Sequence, residues 1–231
     1  MRRFVIGDIH GAYRALKQCL ERSGFDYRKD LLICLGDVCD GWPETKEAVD
    51  ELLAIKNLVF ILGNHDFWTL EYARTGSANA TWLKSGGDNT LKSYDGKVPT
   101  KHIELFEKAK LYYILENRLF VHAGIEIGIP IEDQGADTFL WDRSLFREAW
   151  AQFEAGIDAG LTPYEETYIG HSPIHRMGHK QPVQSGDIWL MDTGAGWEGG
   201  VLSLMDIDAK TVYSSDAVDT LYPPGSGRRR L

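Results

Sequence analysis

Six short apolar runs each break off at a glycine-containing turn that carries Asp, Asn or His: RFVIGD (3–8), LLICLGD (31–37), LVFILGNHD (58–66), RLFVHAG (118–124), TYIGHS (167–172) and IWLMDTG (188–194). Each run is too short for a buried helix and is apolar at consecutive rather than alternate positions. That is the signature of strands covered on both faces. Between the first two runs, residues 12–23 place Tyr13, Leu16, Cys19 and Leu20 on one helical face, and Gly24 stands where a C-terminal cap belongs. After the second run Pro43 precedes ETKEAVDELLAIK, with Ala48, Val49, Leu52 and Ile55 on one stripe. Strand alternating with helix predicts parallel βαβ units and an α/β fold.

Other stretches have a different texture. Residues 67–117 hold Trp68, Trp82, the polar loop KSGGDNT and a helical pattern near 102–110, and are expected to form a helical insertion beside the site. Beyond Asp187, DIWLMD, GVLSLMDID and TVYSS read as strands of an antiparallel or mixed second sheet. A single domain is expected over 1–222, followed by a mobile tail, 223–231, ending in PPGSGRRRL.

In an open α/β sheet the loops at the carboxyl ends of the strands converge on one crevice. Asp8 and His10, Asp37 and Asp40, Asn64, His65 and Asp66, then His122, His171 and Asp192, all occupy such ends and are expected to meet. One histidine or one Asp-Gly at a strand end is ordinary turn chemistry; the repetition over successive strands argues for a shared site. His102, His175 and His179 lie outside these positions and are expected to be structural.

GDIHG (7–11), GDVCDG (36–41), GNHD (63–66), HAG (122–124), GHS (170–172) and DTG (192–194), in that order, resemble the calcineurin-like metallophosphoesterases. More narrowly they are similar to the phosphoprotein phosphatase branch, which includes small bacterial and phage serine/threonine phosphatases and the diadenosine tetraphosphatases. The resemblance implies a four-layer α/β/β/α sandwich with two mixed sheets. It also implies two divalent metals, one held by Asp8, His10 and Asp37, the other by Asp37, Asn64, His122 and His171. Mixed oxygen and imidazole ligands suit Mn²⁺ first, with Fe or Zn²⁺ as alternatives. In such enzymes a metal-ionised water attacks phosphorus, and the leaving alkoxide needs a proton. His65 is the candidate general acid and Asp40 its orienting carboxylate; Asn64 and His65 would also touch substrate. Asp66 is expected to be structural.

A planar guanidinium is the natural clamp for a phosphate. Relatives usually carry Arg directly after the Asp of the second motif, where this chain has Gly41, followed by Trp42. A second family Arg falls in a W-x-R segment, matched by Arg143 in LWDRS. Loss of one clamp is expected to raise KM, and Gly41→Arg to lower it. Trp42, Trp68 and Trp197 are candidates for the pocket wall.

The expected activity is hydrolysis of phosphate monoesters, on phosphoserine or phosphothreonine proteins and small aryl phosphates. The alternatives are a dinucleoside polyphosphate hydrolase and a catalytically idle phospho-binding module. A formal charge of −9, from 34 acidic and 25 basic residues, disfavours nucleic acid and anionic membranes as partners. No window reaches the roughly 18 apolar residues of a membrane span. Three cysteines without CxxC spacing indicate neither a disulfide framework nor a zinc ribbon, and the cytoplasm is the expected compartment. Oligomeric state is not legible in these patterns.

Overall fold

The computed structural model describes residues 1–228. In chain order it forms β1 (Arg3–Ile6), α1 (Tyr13–Ser23), β2 (Leu31–Cys34), α2 (Thr45–Leu53), β3 (Asn57–Phe60), α3 (Asn64–Thr75), α4 (Ala80–Trp82), α5 (Asp88–Ser93), α6 (Thr100–Glu107), β4 (Tyr112–Leu115) and β5 (Arg118–Val121). Then come α7 (Ala136–Trp141), α8 (Ser144–Ala155), β6 (Glu166–Ile169), β7 (Val183–Ser185), β8 (Ile188–Leu190), β9 (Ser203–Asp206) and β10 (Val212–Ser214).

The strands form two five-stranded mixed sheets, β10-β9-β1-β2-β3 and β4-β5-β6-β8-β7. β1, β2 and β3 run parallel, as do β5, β6 and β8. Alternate side chains then build three apolar layers. Val5, Ile33, Leu35, Phe120, Tyr168 and Met205 meet between the sheets. Phe4, Ile6, Leu32 and Cys34 point outward onto α1 and α2, which bring Leu16, Leu20, Val49 and Leu52. Leu119, Val121, Ile169, Ile188 and Leu190 point the other way, onto Phe139 of α7 and Leu145 and Ala149 of α8. Both sheets are covered on both faces, which is why their strands read as unbroken apolar runs. The result is the expected α/β/β/α sandwich.

Two expectations are corrected by the pairing. GVLSLMDID and TVYSS do not extend the second sheet; β9 lies antiparallel on the free edge of β1 and β10 on β9. Within 67–117, Tyr112–Leu115 is not helical but forms a hairpin with β5. Of the tail, residues 223–228 pack against the body, as described below, and residues 229–231 lie outside the described residues. Among the described residues, no helix is long and apolar enough to cross a membrane.

Candidate active site

The turns after β1, β2, β3, β5, β6 and β8 gather on one rim. Ile9 and His10 donate their backbone N–H to the Asp37 carbonyl at 3.1 and 2.8 Å, so the first two turns interlock. Four side chains of the rim sit on left-handed backbone: His10 (φ +52°), Asp37 (+49°), Asp40 (+71°) and His171 (+62°). This conformation costs roughly 1–2 kcal/mol per non-glycine residue. Such strain concentrates where a side chain must be aimed, and here all four are aimed inward. The rim encloses a cavity of about 290 Å³, lined among others by His10, Asp37, Asn64, His65, Arg143 and His171.

Asp37 stands at the centre, buried. Its Oδ1 is 3.5 Å from His122 Nε2, and its Oδ2 is 3.8 Å from His10 Nε2 and 3.9 Å from His65 Nε2. Asp8 Oδ2 lies 3.9 Å from His10 Nε2, and both Asp8 oxygens accept from the His171 backbone N–H. Two sets of ligand atoms are each mutually within 4.8 Å: His10, Asp37 and His65, and Asp37, His122 and His171. The first set thus holds His65, while Asp8, 3.9 Å from His10 Nε2, stands outside both sets.

The donor set fits cations for a reason visible in the hydrogen bonds. His10 Nδ1 contacts the Cys39 carbonyl at 3.0 Å and His122 Nδ1 the Leu35 carbonyl at 2.9 Å. A carbonyl only accepts, so each Nδ1 carries the proton and each Nε2 presents a lone pair inward. Burial pulls both imidazoles below the ordinary histidine range, which favours this neutral, singly protonated form. Two lone pairs thus face the oxygens of Asp37, with Asn64 Oδ1 3.0 Å from His122 Nε2. His171 Nε2 is buried without a hydrogen-bond partner among the described residues, and burial, with His122 and Arg143 nearby, lowers this imidazole to about 2. An arrangement rich in acceptors and poor in protons is what divalent ions satisfy. Two further buried carboxyls of the rim are raised: burial and the charge of Asp37 push Asp66 up to about 7, and burial together with the same charge also pushes Asp192 up to about 7.

Beside this group, His65 Nδ1 is 2.5 Å from Asp40 Oδ2. Asp40 has no solvent exposure and is saturated by donors the sequence reading missed. The Trp82 indole N–H donates to both oxygens at 3.0 and 2.9 Å, and the Thr90 hydroxyl donates to Oδ1 at 2.7 Å. Both come from the insertion, on either side of the irregular turn 83–87. A lone tryptophan and a threonine in a polar loop carry no local signal of this contact.

The remaining candidates sort themselves. Asp66 accepts from the backbone N–H groups of Val38, Cys39 and Gly63 and ties two turns together. Among the described residues Arg143 forms no ion pair with Asp142 or Glu148, and it lines the cavity with Trp68, Trp141 and Trp197. Trp42 does not line it: it is buried on Tyr222 with its indole N–H on the Ala195 carbonyl at 2.7 Å. His102 is buried between Tyr94 and Asp50, and His179 packs on Trp150 and Phe153.

Gly41 explains why no arginine follows Asp40. Its φ is +86°, and a Cβ there would lie 2.9 Å from both Cβ and O of His10. The expectation that Gly41→Arg lowers KM is therefore corrected: the position has neither the backbone conformation nor the room for a side chain.

A calcineurin-like phosphoesterase family model matches residues 1–200. The chain is 29% identical over 213 residues to serine/threonine-protein phosphatase 1 of Salmonella typhimurium, covering 88% of this chain and 91% of that one. It is 24% identical to the symmetrical bis(5'-nucleosyl)-tetraphosphatase of Pseudomonas fluorescens, covering 93% and 94%. A protein serine/threonine phosphatase structure from Saccharomyces cerevisiae superposes with a TM-score of 0.61 at 15% identity, over 99% of this chain and 83% of that one; at that identity the likeness shows a shared fold.

Proposed function

The chain belongs to the calcineurin-like phosphoesterase family, and from that membership we propose that it hydrolyses phosphate monoesters, with phosphoserine or phosphothreonine proteins or small aryl phosphates as substrates. The observation that supports it is the His65–Asp40 pair, 2.5 Å apart, set beside converging imidazole lone pairs and carboxylates in one small cavity. We propose Asp8, His10 and Asp37 as the holders of one divalent ion and Asp37, Asn64, His122 and His171 as those of a second, Mn²⁺ being preferred. Such ions supply positive charge to phosphate oxygens and lower the pKa of a water.

The protein's own groups do the rest. Asp40, fixed by Trp82 and Thr90, directs His65 so that its Nε2 faces the cavity and can deliver a proton to the departing alkoxide. Arg143 reaches the same space with donors that match two phosphate oxygens at once. Trp68 and Trp141, ring centroids 4.9 Å apart, form an apolar wall that restricts water. The cytoplasm is the proposed compartment.

The relative from Pseudomonas raises the second reading, a dinucleoside polyphosphate hydrolase. The higher identity to the Salmonella phosphatase, 29% against 24%, favours the monoester reading. The test is a screen of metal-stripped protein, reconstituted with single divalent ions, on a phosphopeptide, p-nitrophenyl phosphate and diadenosine tetraphosphate. Preferential turnover of the tetraphosphate would overturn the proposal, and turnover without metal would reject the metal assignment.

A further inference from the structure

We infer that Arg228, delivered by the segment that follows Tyr222, is a phosphate-binding residue of the active site and takes over the contact that position 41 cannot make. The inference rests on the phosphoesterase reading above and adds a substrate-binding group from outside the six motifs.

The path of the chain is built for this delivery. The Asn89 side-chain amide donates to the Gly41 carbonyl at 2.6 Å and to the Ser226 carbonyl at 2.9 Å, so one residue ties the turn after Asp40 to the arriving segment. Gly227 crosses the face of Trp42 where a Cβ would lie 2.8 Å from the ring. Gly86, at φ +103°, lies between the two: a Cβ on it would be 2.6 Å from Gly41 N and 3.2 Å from Arg228 Nε. Backbone of Gly41, backbone of Gly86 and the guanidinium of Arg228 therefore share one small volume.

Once there, the guanidinium stacks over Trp197, 4.6 Å from its centroid, while Arg176 covers the same ring at 4.1 Å. It lines the cavity together with Arg143. Its donors are unspent. Nη2 is 3.3 Å from His10 Nδ1, whose proton is already directed to the Cys39 carbonyl, so that contact accepts nothing. Nε is buried without a hydrogen-bond partner, and the side chain has no ion pair among the described residues. Burial lowers its pKa from the ordinary arginine range, and Asp40, Asp37, Asp192 and Asp8 offset part of that shift from a distance. A stacked guanidinium held in place with free N–H groups is what a phosphate oxygen requires as a partner.

The experiment compares the parent with Arg228→Ala and Arg228→Lys, all loaded with Mn²⁺. Steady-state hydrolysis of p-nitrophenyl phosphate and calorimetric titration with inorganic phosphate are measured side by side. Loss of a charge-assisted contact is expected to raise KM and to weaken phosphate binding in parallel, each by about tenfold to a hundredfold. kcat is expected to stay within about threefold, and Lys to recover part of the affinity. Unchanged KM and phosphate affinity in Arg228→Ala would overturn the inference. A fall in KM would overturn it too, by showing that the guanidinium occupies the substrate's place. Absence of phosphate binding to the parent would do the same. Should the parent bind phosphate but hydrolyse no ester, the proposed function fails, while the titrations of parent and variant still decide the role of Arg228.

Discussion

Replacing Asp40 by Asn isolates what the buried carboxylate does. Three donors converge on its two oxygens: His65 Nδ1 at 2.5 Å, Trp82 Nε1 at 2.9 and 3.0 Å, and Thr90 Oγ1 at 2.7 Å. Asn keeps the shape but turns one acceptor into an NH₂, which must face one of those donors whichever way the amide is oriented. A buried donor left without an acceptor costs about 1–3 kcal/mol. For a chain of this size that lowers Tm by roughly 2–12 °C. The kinetic consequence depends on the leaving group. An alkyl phosphate needs a proton on its departing oxygen, so Asp40→Asn is expected to cut its kcat by about 10²–10⁴-fold, the usual size of general acid catalysis. p-Nitrophenyl phosphate, whose leaving group stabilises its own charge, is expected to lose no more than about tenfold. The assay is kcat on both esters at equal metal content, checked by elemental analysis, with the thermal melt recorded alongside. An equal loss on the two esters would refute the reasoning, since it would assign Asp40 to the nucleophile or to metal retention and not to the acid.

Other outcomes are expected as well. Gly41→Ala is expected to lower Tm without lowering KM for an aryl phosphate, because the residue sits at φ +86° with a Cβ blocked by His10 at 2.9 Å; a stable variant with improved KM would contradict the steric account. Chelation is expected to abolish hydrolysis, and added Mn²⁺ to restore it and raise Tm by several degrees, as binding to the folded state alone requires; a melt indifferent to metal would argue against the proposed ligand set. Asp50 receives bonds from Lys101, His102 and Lys46, which against the opposing effect of burial hold its carboxyl below the usual range. A lowered pKa contributes stability that is complete above the ordinary carboxylate value of about 3.9 and lost as pH falls through the folded one. Tm of the metal-free protein is therefore expected to decline less steeply below about pH 4 in Asp50→Asn than in the parent; identical slopes would remove Asp50 from the acid response.

What could be read from the sequence follows from how locally each feature is encoded. Six strands and the helices between them were legible because burial on both faces leaves a continuous apolar run, and because Gly24 marks the end of its helix at φ +59°. The rim side chains were legible because each follows such a run directly. Sheet membership of β9 and β10 was not. An apolar strand announces that it will pair but not on which edge, and β1 offered an open one. Trp82 and Thr90 stayed hidden for a related reason: their contact with Asp40 spans 42 and 50 residues and depends on a turn whose backbone is irregular at Gly86.

Gly41 and Arg228 press the same point furthest. Taken alone, a glycine where the resembled motif has arginine implies a weakened site, and a stretch of Pro, Gly, Ser and Arg implies a solvated tail. The two readings change together once Asn89 is seen to hold the Gly41 and Ser226 carbonyls with one amide. Without a side chain at 41, Gly86 can close directly onto its backbone. That closure forms one wall of the space that Arg228 enters beside His10. An arginine at 41 would require a different turn, because a Cβ there meets His10 at 2.9 Å. A Gly86→Ala variant carries the argument further: its added methyl would lie 2.6 Å from Gly41 N and 3.2 Å from Arg228 Nε, so it is expected to raise KM together with the inhibition constant of inorganic phosphate. It should do so much less in a background that already carries Arg228→Ala, because residues acting through one contact do not add.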